Sequence, residues 1–270
     1  MHKSFFTLLV VILLAGCSSN NLERNRPTEP RVQLTLQKVA FQIADTTVHA
    51  QSRQFGNGKL TMVNVHDDEQ ESVDAAVPVL EKCGGRLVEL THSGKRRVVF
   101  SMDGNSYSLD PNRIFSKAGV RLTVRNENNR DATVPEKAHE AVDRFAAQFI
   151  RHFKLNKQRA FIALHNNGEG GLSIHTYEPG GDWAADTDEL HVSSTIDPDE
   201  FYFVTDKRIF DELKNRDANV ILQDNSIKRD DGSLSVFAGR HGIRYINVEA
   251  QPEHFAEQIR MIEIAAEAIR

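Results

Sequence analysis

The run Leu60-Thr61-Met62-Val63-Asn64-Val65 stops abruptly at His66-Asp67-Asp68-Glu69, and a helical pattern follows from Gln70 to Lys82. A β-branched strand feeding straight into an amphipathic helix narrows the choice of fold, because such units alternate in α/β proteins. The loop leaving the strand is where open α/β sheets place their ligands. His66 and Glu69 sit on that loop. A neutral imidazole and a carboxylate three residues apart can both turn toward one zinc ion. A solvated polar loop is the other reading of the same residues.

The same grammar continues downstream. Val73, Ala76, Val77 and Leu80 form one apolar stripe, and Gly84-Gly85 ends the helix. Strands are expected over 86–90 and 97–101, with a turn at Asp103-Gly104. A second helix over 135–153 directs Val142, Phe145, Phe149 and Ile150 inward, and the buried strand 160–164 exits at His165. The Gly- and Asp-rich stretch 170–200 reads as a long loop, a usual carrier of binding function. Then come a strand over 201–204, a helix over 206–214, and strands over 219–223, 233–237 and 243–248, the last exiting at Glu249. Phe255, Ile259, Ile262, Ala266 and Ile269 mark a C-terminal amphipathic helix. The expectation is a three-layer α/β fold: a mixed, mostly parallel central sheet with helices on both faces, in one domain over 32–270.

The first residues are not expected to belong to that domain. Met1-His2-Lys3 is a positive n-region, and the apolar stretch from Phe5 to Ala15 is too short to span a bilayer comfortably. Leu14-Ala15-Gly16-Cys17 resembles the lipobox of bacterial lipoproteins, in which the cysteine is acylated and becomes the mature N-terminus. The reading is a leader over 1–16, lipid on Cys17, and a flexible linker to about residue 31. Ser18 after the cysteine resembles lipoproteins sorted to an outer membrane, which implies an envelope protein anchored by lipid and facing the periplasm. With Cys17 lipidated, Cys83 has no partner and reads as a buried structural thiol.

Charge excludes one class. The 270 residues carry a net charge of -5, and Lys95-Arg96-Arg97 is the only basic cluster along the sequence, so a nucleic-acid partner is not expected.

Three strand exits therefore carry metal-site chemistry: His66 with Glu69, His165, and Glu249. A hydrolytic zinc site needs three protein ligands, a carboxylate off the metal to move a proton, and a fixed cation near the developing negative charge. Arg113 is the leading candidate for the cation, since a guanidinium grips a carboxylate bidentately. Each residue also has a plain structural reading: His165 as a hydrogen-bonded core histidine, Asn112-Arg113 as a turn, Glu249 as a cap for the last helix. Asp67 and Asp68 are either partners of the ligands or solvated charges. His92, His175, His191 and His254 read as incidental.

In its order of motifs, His66-x-x-Glu69, then Asp110-Pro111-Asn112-Arg113-Ile114-Phe115, then His165, then Glu249, the chain resembles the zinc carboxypeptidase superfamily. The branch nearest by motif is the aspartoacylase and succinylglutamate desuccinylase group, whose Asp-Leu-Asn-Arg-x-Phe is similar to the segment from Asp110 to Phe115, with Pro111 in place of Leu. The resemblance implies that His66, Glu69 and His165 hold one Zn2+ per chain. It implies that Asn112 and Arg113 bind a substrate carboxylate and that Glu249 is the general base and later acid. It further implies an arginine that polarises the scissile carbonyl, for which Arg97 or Arg96 stands in place. A tyrosine closing the site is sought among Tyr177, Tyr202 and Tyr245.

Together these readings point to an exported zinc-dependent hydrolase of an amide bond next to a free carboxylate, of carboxypeptidase or peptide-amidase type. Peptides or cell-wall fragments are the expected substrates. The alternatives are a zinc-site lipoprotein that binds such fragments without cleaving them, and a structural envelope lipoprotein.

Overall fold

The computed structural model describes residues 9–10, 34–129, 131–168, 170–226 and 230–270. The expected leader (apart from Leu9 and Val10), Cys17 and the linker lie outside the described residues. In chain order the main elements begin with β1 (Leu9–Val10), β2 (Leu34–Ile43), β3 (Thr46–Phe55), β4 (Thr61–Asn64), α1 (Gln70–Cys83) and β5 (Gly85–Thr91). A small antiparallel sheet follows, made of β6 (Val98–Met102), β7 (Asn105–Leu109) and β8 (Arg125–Asn126), with α2 (Lys117–Thr123) inserted before its last strand. The chain continues through α3 (Glu136–Phe153), β9 (Ala160–Asn166), β10 (Thr187–His191), β11 (Phe201–Val204), α4 (Lys207–Asn215) and β12 (Val220–Gln223). It closes with α5 (Leu234–Arg240), β13 (Arg244–Ala250) and α6 (Phe255–Ala268).

Ten strands form the main sheet in the order β1-β2-β3-β5-β4-β9-β13-β11-β12-β10. Its centre, β5-β4-β9-β13, is parallel. The flanks are mostly antiparallel: β2, β3 and β5 pair antiparallel in turn, β11 runs against β13 and β10 against β12, while β11 and β12 run parallel to each other. The sheet is therefore mixed, and the expectation of a mostly parallel one is corrected. The reason is local. Ala44, at φ 50°, with Asp45 makes a tight turn between β2 and β3, and a turn that short can only join antiparallel neighbours.

The layers follow from strand alternation. On β9, Phe161 and Ala163 enter one core with α3 and α5, whereas Ile162 and Leu164 enter the other with α1, α4 and α6. Helices thus cover both faces, as expected. Phe41 packs edge-on against Phe145 and Phe149 in the first core, with ring centroids 5.7 and 6.0 Å apart. Among the described residues no helix is long and apolar enough to cross a membrane.

One expected strand is a helix. Residues 233–237 start α5, because the Ser233 hydroxyl accepts the N–H of Val236 and caps a helical turn despite the β-prone Val and Phe. At α6 the buried stripe is centred on Met261, Ile262, Ala265 and Ala266, while Phe255 stays 42% exposed.

Candidate metal centre

The parallel centre of the sheet brings distant strand exits together. β4 ends at Asn64, and two residues on stands His66; β9 carries His165 near its end, and β13 carries Glu249 near its own. Glu69 closes the β4 exit as a turn, its N–H donating to the His66 carbonyl at 3.2 Å. The three donors are 1%, 5% and 3% exposed for His66, Glu69 and His165. Their ligand atoms converge: His66 Nδ1 lies 2.9 Å from Glu69 Oε1 and 3.1 Å from His165 Nδ1, which lies 2.9 Å from Glu69 Oε2.

These residues fit a divalent metal. Tetrahedral ligands about 2.0–2.1 Å from zinc sit roughly 3.3 Å from one another, close to the separations here. Two imidazole Nδ1 atoms facing each other and one carboxylate, all buried, also make an uneasy hydrogen-bonding group. Two neutral acceptors cannot satisfy each other, so the set needs a cation or extra protons at its centre. The outer contacts agree. His66 Nε2 is 2.9 Å from Asp110 Oδ1, so in the neutral ring this nitrogen carries the proton and the Nδ1 lone pair is free to face a metal in the cluster. Among the described residues, His66, Glu69 and His165 are the group that could hold a metal.

Several supports were hidden from the sequence. Gln258 of α6, fully buried, donates to the His165 carbonyl at 3.0 Å and accepts from Asn166 at 3.1 Å, tying β9's exit to a helix more than ninety residues away. Ser72 donates to the Glu69 carbonyl at 2.7 Å. Asp67 turns away from the cluster, and its Oδ2 accepts the N–H groups of His92, Ser93 and Gly94. The carboxylate partner of His66 is Asp110, from the segment that carries Asn112, and not Asp67.

Charge sets the protonation of the cluster. Burial disfavours a charged His66, but the hydrogen bonds of Asp110 and Glu69 outweigh it and raise its pKa to about 9. Burial likewise opposes ionisation of Glu69 and Asp110, yet the two histidines hold the Glu69 carboxyl, and His66 with Arg96 the Asp110 carboxyl, well below the usual carboxylate range. Arg96 Nη1 donates to Glu69 Oε1 at 2.6 Å.

A cavity of about 410 Å³ opens on the cluster, lined by Glu69 and His165 with Arg96, Asn112, Arg113 and Glu249. Arg97 does not line it, so the arginine beside the cluster is Arg96 and the Arg97 placement is corrected. Both lie in the bend before β6, and the bend presents the first of them to Glu69. Arg113 pairs with Asp231 at 3.0 Å, and the Asn112 side chain accepts the Leu234 N–H at 3.1 Å. The contacts come from the loop before α5 and the first residue of that helix, and the loop presses on this segment so closely that a Cβ on Gly232 would lie 2.4 Å from the Arg113 carbonyl oxygen. Tyr177 and Tyr245 line the cavity, whereas the Tyr202 hydroxyl donates to the Met261 carbonyl on the other face of the sheet.

Glu249 faces the cavity without joining the ligand group. It stands opposite His165 in the β9–β13 ladder and accepts from Asn247 Nδ2 at 2.9 Å. Burial, with the Glu69 charge, pushes its carboxyl up despite the opposing pull of His165. A carboxylate held toward its protonated form beside such a cluster is equipped to accept and return protons.

No protein-family model matches the chain, and no curated protein matches it. Among solved structures the chain is similar to the ectoine utilization protein EutE (DoeB) from Ruegeria pomeroyi, at 15% identity over 91% of this chain and 69% of that one, with a TM-score of 0.44. It is also similar to an aspartoacylase family protein from Mesorhizobium loti, at 13% identity over 87% and 67%, with a TM-score of 0.38. A third is the tripeptide-bound cell shape determinant protein Csd4 from Helicobacter pylori, at 12% identity and a TM-score of 0.37, covering 78% of this chain and only 50% of that protein.

Proposed function

We propose that the protein is a zinc-dependent hydrolase of an amide bond next to a free carboxylate, of carboxypeptidase or peptide-amidase type. The observation that carries this reading is the convergence of three buried donor atoms about 3 Å apart beside an independent buried carboxylate, Glu249, in a cavity that also holds two arginines. Zinc held by His66, Glu69 and His165 would supply a Lewis acid and a bound water of lowered pKa.

The chain's own residues supply the rest. Arg113 is held by Asp231 through one nitrogen, which leaves donors of its planar fork for a substrate carboxylate. Asn112, locked by its bond to Leu234, fixes the segment that carries it. Glu249 takes a proton at its cavity-facing carboxylate and returns it to the leaving amine, a role its raised pKa suits. Arg96, which lines the same cavity beside Glu69, would stabilise negative charge developing on a scissile carbonyl.

Residues 1–17 support a lipid anchor on Cys17 in the bacterial cell envelope, facing the periplasm, where peptides and wall fragments would be met. Cys17→Ser should release the chain from the membrane fraction, and persistent association would mean another anchor.

The test of function pairs metal analysis of the purified chain with mass-spectrometric hydrolysis assays on a panel of C-terminal peptides and wall fragments. About one zinc per chain and at least one cleaved substrate are expected. Zinc with binding but no cleavage would leave a binding protein, and no zinc would remove the reading altogether.

A further inference from the structure

The four parallel strands at the centre of the sheet, β4, β5, β9 and β13, begin at the end opposite the metal cluster. Thr61 of β4, Arg86 of β5, Ala160 of β9 and Arg244 of β13 all sit there. A groove of about 820 Å³ crosses this end, and its lining contains Lys59, Arg86, Lys157, Arg159, Arg244 and Arg270 but no aspartate or glutamate. None of the six has an acidic partner among the described residues, whereas most of the other described lysines and arginines are ion-paired. Arg86 reaches only a backbone oxygen, that of Phe153 at 2.9 Å. Six unneutralised cations on one surface repel each other, so the face is suited to a partner of opposite charge.

The chain also enters the domain here. Leu34, the first residue of β2, pairs with Phe55, which pairs with Gly85 at the start of β5. The stretch between Cys17 and Leu34 can extend to roughly 60 Å. A lipid on Cys17 would thus keep the domain near a bilayer without choosing its orientation, and charge would choose it.

We propose that this basic end docks on a bilayer surface bearing anionic phospholipid headgroups, which aims the mouth of the metal-site cavity away from the membrane. The inference rests on the lipid-anchored reading for its setting, and on the groove for its content. Basic residues near an anionic leaflet are each attracted, over a range set by the Debye length. The lining holds no aromatic side chain, so the stacking platform that single-stranded nucleic acids use is missing. The two ends of β9 are about 20 Å apart along the strand, so docking one end leaves the other clear.

The full chain would be mixed with vesicles of phosphatidylcholine alone or with added phosphatidylglycerol. Flotation reports the anchor. Acetylation of exposed lysines, read by mass spectrometry, reports orientation, with Lys59 and Lys157 as probes of the basic end and Lys95 as the reference near the metal cluster. On phosphatidylglycerol vesicles Lys59 and Lys157 should be acetylated several-fold more slowly than in solution while Lys95 is unchanged. The protection should vanish at high salt and on pure phosphatidylcholine. Arg159→Glu with Arg270→Glu, both exposed, should abolish the protection while flotation persists. Equal rates at all three lysines on anionic vesicles would overturn the docking face even if flotation upholds the anchor. Protection by soluble inorganic phosphate without vesicles would overturn it in favour of a free anion. Loss of flotation on phosphatidylcholine with retained protection on phosphatidylglycerol would remove the anchor and leave the docking face standing.

Discussion

Glu249 and His165 are direct partners across the parallel β9–β13 ladder, on the same face of the sheet. One of them points its Nδ1 into the metal-ligand cluster, and the other stays outside it with Asn247 as its hydrogen-bond partner. The ladder therefore fixes a ligand and a proton-transfer group at one strand spacing, about 4.8 Å. Neither can drift relative to the other without breaking backbone hydrogen bonds, and the two should be separable by mutation.

Removing a ligand should remove the metal. His66→Ala and His165→Ala each leave two donors of three, so zinc measured by plasma mass spectrometry should fall from about one per chain to near none. Full occupancy in both variants would refute the cluster as a metal site.

Asp110→Asn should weaken metal binding without abolishing it. The carboxylate holds His66 by its Nε2, and loss of such an outer partner typically costs 10–100-fold in metal affinity. Competition with a fluorescent chelator would measure the change, and an unaltered affinity would show that His66 is oriented by other means.

Glu249→Gln should separate binding from chemistry. It keeps the shape of the side chain but cannot accept a proton, so kcat should fall by roughly 10²–10⁴ with zinc retained. Arg113→Ala should mainly raise KM if its contact is equal in ground and transition states. Zinc loss in Glu249→Gln would make this residue a ligand, and full activity would place the base elsewhere.

The metal-free protein should lose stability on the alkaline side. The folded-state pKa of His66 is raised to about 9, so its contribution is complete below the unfolded value near 6.5 and is lost as pH climbs through 9. Glu69 and Asp110 act in the opposite sense, and their contribution disappears only in acid. In the presence of a chelator, Tm should therefore drop between about pH 6.5 and 9. His66→Gln should flatten that drop, and a Tm unchanged over this window in the native chain would contradict the raised pKa.

Much of the fold is written locally. Apolar periodicity marks α1 and α3, and the buried runs of β4, β9 and β11 stand out because each holds four or five successive apolar or β-branched residues. His66, Glu69, His165 and Glu249 were visible as the polar residues that close such runs. What the sequence could not show depends on partners far along the chain. Ser233 turns a β-prone stretch into α5 through a cap, a choice between two nearly balanced local states.

The choice of Arg96 over Arg97 was made by the bend before β6, and no periodicity distinguishes adjacent residues there. Asp110 and Gln258 gain their roles only when the strands register, because hydrogen bonds are short-ranged and sequence separation carries no information about them. The same holds for the basic end: six cations scattered from Lys59 to Arg270 form no cluster along the chain, and they gather where the four parallel strands β4, β5, β9 and β13 start at one edge. The sequence by itself determined most of the strands and helices, residues 233–237 excepted, and the polar residues that end them, because burial and chain geometry act over a few neighbours. The tertiary structure alone decided which of those residues meet, since only the register of the sheet converts distant positions into contacts.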